Sequence, residues 1–224
     1  MLNSTIRLIF PTKCIFCSKI IRPEADIDIC EECFAKIPFL PLQPAEGQYN
    51  IFLNRYCDKV VCACEYTGII KKALIQFKFY NKPSFYRTLG RLLASKVEEV
   101  MDCEAIDMVV SIPLYRKKQM KRGYNQAALI GRVLSREWQV PDCSAILKKV
   151  KDTRSQRLLD RKDRYRNLQD AFMLIDPDIV VGMNIVLVDD VFTTGSTVGE
   201  CARILKEAGA DKVIAAVIAS GRKY

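Results

Sequence analysis

The residues best suited to chemistry stand near the end of the chain, in the run Ile185 through Thr197. Four aliphatic residues, Ile185 to Val188, read as a parallel strand buried on both faces. Asp189 and Asp190 follow where that strand would surface at its carboxyl end. Next comes a hydroxyl-rich turn, Thr193, Thr194, Gly195, Ser196 and Thr197, and then Val198, Cys201, Ala202 and Leu205 at helical spacing. A helix start turns its free N–H groups toward an anion, Gly195 permits close backbone approach, and the hydroxyls add donors. The stretch therefore reads as a phosphate site. A nucleoside-triphosphate loop would need a Lys beside the Ser/Thr and a second glycine at fixed spacing, and neither is present. Two carboxylates beside a phosphate cradle suit the hydroxyls of a ribose instead, or a Mg²⁺ held near them.

A second constellation lies at the other end. Cys14 and Cys17 form one Cys-x-x-Cys knuckle, and Cys30 and Cys33 form another, twelve residues apart. Two knuckles close a tetrahedron of thiolates around Zn²⁺. With no His in the chain, a Cys₄ site is the one all-protein option. The metal would be structural, replacing a core that a few tens of residues cannot build. A redox dithiol pair or a rubredoxin-like iron site are the other chemistries open to the spacing. Cys57, Cys62 and Cys64 suggest a third cluster, but they read as core residues around a strand from Lys59 to Tyr66.

Charge is concentrated between these two constellations. Tyr115 to Arg166 holds sixteen Lys or Arg against five Asp or Glu, a net of +11, while the whole chain carries +9. The excess is thus local. It includes Arg116, Lys121 and Arg122, followed by Gly123-Tyr124-Asn125-Gln126. Beyond a capping-box pattern at Thr153 to Gln156, Arg154, Arg157, Arg161 and Arg164 fall on one stripe if the segment is helical. A pyrophosphate group or a nucleic-acid backbone would neutralise such a stripe; a solvated helix face is the plain alternative.

These groups need elements to position them. The patterning predicts helices over Ile69 to Phe77, Phe85 to Met101 and Tyr124 to Trp138. It predicts strands over Lys59 to Tyr66, Asp107 to Ile112, Ala171 to Ile175, Asn184 to Asp190 and Lys212 to Ala219. Alternation of this kind implies an α/β fold, a mostly parallel sheet flanked by helices, with ligands at the carboxyl ends of strands. Ser111, Ile112, Pro113 and Leu114 form a second loop at such an end. A Pro- and Gln-rich stretch sets a linker over 41–58, between a ribbon at 1–40 and a main domain at 59–224. No apolar run approaches the roughly 20 residues of a membrane span. Met1 to Phe10 is too short in apolar residues for a signal peptide. A cytoplasmic protein without membrane insertion is expected.

The run from Ile185 to Thr197 resembles the phosphoribosyl pyrophosphate motif of type I phosphoribosyltransferases along its whole length. The order of features resembles the ComF competence family: the cysteine ribbon, Phe77-Lys78-Phe79, Ser111 to Leu114, Lys121 to Gln126, Thr153 to Gln156, Arg164 to Leu168, and the paired aspartates. The resemblance implies a type I phosphoribosyltransferase-like domain behind a Cys₄ zinc ribbon, at work in uptake of transforming DNA. It implies phosphoribosyl pyrophosphate with Mg²⁺, single-stranded DNA and a helicase-like ATPase as partners. Asp189 and Asp190 would hold the ribose hydroxyls, Thr193 to Thr197 the 5′-phosphate, and Ser111 to Leu114 the pyrophosphate. Lys78, Arg116, Lys121, Arg122 and the four-arginine stripe would serve pyrophosphate or DNA. Two departures stand out: many members carry a second ribbon, and purine-salvage relatives place an Asp where Thr193 stands, which argues against a 6-oxopurine acceptor. Three roles follow: a DNA-uptake adaptor, a Mg²⁺-dependent transferase with an unnamed acceptor, or a metabolite sensor.

Overall fold

The computed structural model describes residues 11–21, 27–41, 55–80, 82–152, 168 and 170–221. In chain order its elements begin with α1 (Glu31–Phe34), β1 (Lys59–Glu65), α2 (Gly68–Phe79), α3 (Phe85–Glu98), β2 (Met108–Ser111) and α4 (Arg116–Arg122). There follow α5 (Gln126–Glu137), β3 (Leu147–Lys149), β4 (Phe172–Leu174), β5 (Asn184–Phe192), α6 (Ser196–Glu207) and β6 (Lys212–Ser220).

Four strands form one sheet in the order β1-β6-β5-β2, and every pairing is parallel. The two central strands, β5 and β6, are almost wholly Val, Ile, Leu and Ala before the aspartates, as a strand covered on both faces must be. Alternation then assigns each side chain to a face. Val186 and Val188 pack with Leu89, Leu93, Ile130 and Leu134 of α3 and α5. Ile185 and Leu187 pack with Val198, Cys201, Ala202 and Leu205 of α6.

Two of the expected elements change. The strand near Ala171 to Ile175 does not join the parallel sheet: β4 pairs antiparallel with β3, which the patterning missed, as a separate two-stranded ribbon. Its three residues carry one buried side chain, Phe172, so period-2 burial could not place it. Helix α4 was also missed, because its seven residues contain no apolar face. The third helix starts at Gln126 rather than Tyr124, since the Asn125 side chain accepts a hydrogen bond from the Ala127 N–H at 3.1 Å and so caps it.

The N-terminal ribbon is joined to the sheet. Leu40 N–H donates to the Ala63 carbonyl at 3.0 Å, and Glu65 N–H donates to that of Pro38 at 2.8 Å, so 38–40 lies along the outer edge of β1. Cys14, Ile29, Cys33 and Ile37 share a core with α2, α3 and α5. Most of the expected linker, 42–54, lies outside the described residues.

Helices α3 and α5 meet through glycine. A methyl group at Gly90 would stand 2.6 Å from Cβ of Val133, and one at Gly131 would run into Oγ of Ser111 on β2. Alanine gains about 1 kcal/mol in a helix interior, but overpacking costs about 1–3 kcal/mol. Gly90→Ala is therefore expected to lower stability in urea unfolding, and a gain would show that this contact can open.

Candidate functional site

At the carboxyl end of β5 the two aspartates point to opposite faces of the sheet. Asp190 continues the row Val186, Val188, toward the α2, α3 and α5 side. There its Oδ1 meets Nζ of Lys78, from the last turn of α2, at 2.8 Å. Asp189 continues the row Ile185, Leu187, toward α6. Its Oδ1 accepts the Asp190 N–H at 2.8 Å.

Lys78 is held in place through the backbone beside it. The Phe77 carbonyl, one of the orphan acceptors at the end of α2, accepts the Tyr124 hydroxyl and the Gln126 Nε2 amide, the latter at 3.3 Å. The Tyr124 ring stacks on Phe77 with centroids 5.6 Å apart. Arg122 donates to Gln126 Oε1 at 2.6 Å and lies over the Phe79 ring at 5.5 Å. Asn125 donates to the Ile112 carbonyl at 2.9 Å. Lys121 to Gln126 thus ties the end of α2 to the end of β2. Spacing alone could not show this, because the partners lie dozens of residues away.

Asp189 faces a cleft of about 280 Å³ lined by Tyr66, Lys78, Val191, Phe192, Thr193, Gly195, Thr197 and Val198. Gly195 adopts φ 79°, a left-handed turn that L side chains resist, and α6 starts at the next residue. Thr194 Oγ1 and Ser196 Oγ lie 2.9 Å apart. All the expected turn residues are therefore gathered at one helix N-terminus. Burial pushes the Asp189 carboxyl up to about 7, and the neighbouring Asp190 adds to the rise. Lys78 and Lys149 oppose it from either side. Lys149, which the sequence did not single out, sits on β3 with Nζ 4.9 Å from the Phe172 ring centroid. Burial, and then Lys118, hold its ammonium below the usual range.

The other expected residues divide. Ser111 faces α5, and its hydroxyl is buried beneath Gly131 with no hydrogen-bond partner, so that side chain does not reach the cleft. Its N–H is taken by Ser144 Oγ at 2.9 Å, and the Ile112 N–H by the Val188 carbonyl at 2.9 Å. Half-buried Pro113 and Leu114 are what remains of that loop for a ligand. Arg116 and Lys121 are exposed on α4, beside Lys117 and Lys118. Arg154, Arg157, Arg161 and Arg164 lie outside the described residues.

The four ribbon cysteines converge. Their sulfurs all lie within 4.8 Å of one another, and Sγ of Cys17 and Cys30 are 3.7 Å apart. Thiolates about 2.3 Å from a tetrahedral Zn²⁺ stand roughly 3.8 Å apart, so the set fits a metal such as zinc. Burial resists ionisation of Cys14, but the N–H groups of Cys30, Cys17 and Phe16 outweigh it and bring the thiol down to about 7. Burial and the three neighbouring thiols push Cys33 up. Cys57, Cys62 and Cys64 are buried and lie outside this four-cysteine group, as core residues should be.

Comparison with known proteins agrees with this geometry. A phosphoribosyl transferase domain model matches residues 142–224. Competence protein F of Haemophilus influenzae is 32% identical over 218 residues, covering 91% of this chain and 95% of that protein. The DNA utilization protein YhgH of Escherichia coli K12 is 34% identical over 159 residues, covering 70% of this chain and 69% of that one. Competence protein ComFC of Bacillus subtilis is 28% identical over 144 residues, covering 64% and 56%. The architecture is that of a type I phosphoribosyltransferase-like fold, with a four-cysteine cluster at its N-terminal end.

Two outcomes are expected. Adding Zn²⁺ to reduced, metal-stripped protein should stabilise it by about 2.7 kcal/mol at a hundredfold excess over Kd, and Cys17→Ser should abolish that gain in thermal unfolding. Because Asp189 keeps its proton to about 7 when folded but releases it near 3.8 when unfolded, the folded state holds the extra proton between those values. Stability should thus fall as pH rises from about 4 to about 7 and then level off. Asp189→Asn should remove that slope and be the more stable protein at pH 8, by about 1–2 kcal/mol, the cleft's water reducing the full linkage value.

Proposed function

Because the chain belongs to the competence protein F family, we propose that it acts in DNA uptake by binding phosphoribosyl pyrophosphate with Mg²⁺ and single-stranded DNA. The observation that carries this reading is the cleft itself: Asp189 at its wall and the Thr193 to Thr197 turn at a helix N-terminus. The turn suits a 5′-phosphate, and the aspartates suit ribose hydroxyls or the metal that bridges them. Ribose and phosphate together account for both features, whereas a free phosphate leaves the carboxylates unused and repelling it.

Exposed α4, with Arg116, Lys117, Lys118 and Lys121 on one short helix, supports the DNA half of the proposal. Arg154, Arg157, Arg161 and Arg164 extend the charge in sequence toward Leu168. The relatives named for competence and for DNA utilization support the same setting. In this reading 1–40 is a structural zinc ribbon and 59–224 the ligand-binding domain. The protein works in the cytoplasm, where a helicase-like ATPase is its partner. Among the described residues no helix is long and apolar enough to cross a membrane. Turnover is not required for this role.

Titration calorimetry of the wild type with phosphoribosyl pyrophosphate and Mg²⁺ should give saturable heat. In Asp189→Asn/Asp190→Asn the affinity should fall at least about tenfold, as loss of hydrogen bonds to charged groups does. No heat from the wild type would end the reading. In the same preparation, single-stranded DNA affinity should fall steeply with salt. Arg157→Ala/Arg161→Ala should flatten that logarithmic slope by about 1.4 if each arginine meets one phosphate.

A further inference from the structure

We infer that the end of α2 and the neighbouring α4 form a stacking platform for single-stranded DNA, on which the rings of Phe79 and Tyr80 take bases and the α4 cations take phosphates. The inference rests on the single-stranded DNA binding proposed above, and adds to it the residues that tell a single strand from any other polyanion.

Four observations carry it. Phe79 and Tyr80 are 60% and 67% exposed, and Met120 on α4 is 72% exposed, although Phe77 on the same turn as Phe79 is fully buried. The rings stand on a rigid base. Tyr124 and Gln126 grip the Phe77 carbonyl, and beyond the helix end the Lys82 N–H lies by the Tyr124 hydroxyl. Arg122, bound to Gln126 Oε1 at 2.6 Å, lies over Phe79 at 5.5 Å from its centroid, which joins α4 to the rings while Phe79 stays largely open. Finally, the cations here have no acids interleaved with them in sequence. Neither 66–97 nor 108–136 contains an Asp or Glu, and Lys82, Arg116, Lys117 and Lys121 are exposed within those segments.

Exposed rings on a cationic surface suit an anion that also offers flat apolar faces. A single strand offers both at each nucleotide, and stacking of a base on a fixed aromatic ring tolerates any sequence. A duplex hides its base faces, and free phosphate or pyrophosphate would use the cations and leave the rings idle. A lipid surface also joins anions to an apolar phase, but insertion there needs a helix with one apolar face. Helix α4 has one apolar residue, Met120, among Arg116, Lys117, Lys118 and Lys121. The single strand is the ligand that uses the whole surface. Arg122 supports the platform from the protein side, as a guanidinium held over the ring.

The test measures binding of the full chain to a thymidine oligonucleotide and to an abasic strand of equal length, by fluorescence anisotropy across a salt series. The wild type should bind the thymidine strand about tenfold more tightly, as stacking of one or two bases predicts. Phe79→Leu/Tyr80→Leu should lose that preference and keep the salt slope; both side chains are exposed, so the fold is not at stake. Lys117→Gln/Lys121→Gln should flatten the logarithmic slope by about 1.4, if each lysine meets one phosphate, and keep the preference. Phe79→Trp/Tyr80→Trp, which retains two rings, should keep it as well. A preference for thymidine that survives the leucine substitutions, or its absence from the wild type, would overturn the inference. So would wild-type binding to phosphatidylserine vesicles that is tighter than to DNA and is lost with the two rings, which would make the patch a membrane contact. A wild type that binds neither strand would remove the DNA reading itself, and this inference with it.

Discussion

Adjacent carboxylates at the end of a buried strand are short of water and repel one another, and much of the surrounding structure answers that constraint. The strand's own alternation is the first response, since it sends Asp190 to one face and Asp189 to the other. Each face then supplies a cation. Lys78 pairs directly with Asp190, whereas Lys149 acts on Asp189 at longer range from the small β3–β4 ribbon. The direct pair holds Asp190 against Lys78 at 2.8 Å. The remote one does not overcome burial, and Asp189 keeps its proton to about 7. Neighbouring positions in the chain thus place two carboxylates in unlike surroundings.

The demand for a cation at Asp190 explains why the end of α2 is so firmly held. A helix terminus leaves carbonyls without partners, and a frayed last turn would carry Lys78 away. Tyr124 and Gln126 supply donors to one of those carbonyls, Arg122 orients Gln126, and Asn125 anchors the same segment to Ile112. A run that reads as basic and solvated is therefore, in part, a clasp. Its charge and its clasp belong to different residues: Arg116 and Lys121 stay exposed, while Arg122 turns inward over Phe79.

The parts legible in the sequence were those whose partners are local. The acid pair, the hydroxyl turn and the start of α6 lie within a dozen residues, and the paired knuckles announce themselves by spacing. Parallel packing of β5 and β6 was readable from their unbroken apolar runs. What stayed hidden depends on contacts across the fold. Ser111 looked like a loop hydroxyl, but the parity of β2 aims it at Gly131. Lys149 had no motif around it, and only the pairing of β3 with β4 brings it toward Asp189. Three-residue strands and a helix without an apolar face carry too little periodicity to be seen.

The ribbon's attachment bears on how the two ends of the chain influence each other. An exposed edge of β1 would present unpaired backbone groups, and residues 38–40 cover part of it with two hydrogen bonds. Cys14 and Cys33 are buried in the same apolar cluster as Phe77, the residue next to Lys78. Ribbon order and the α2 end therefore share one packed core, and interiors at crystal-like density do not deform smoothly. A metal held by the four cysteines would be joined to α2 through direct packing. The four-cysteine cluster and the helix end that carries Lys78 to Asp190 thus rest on the same packed residues.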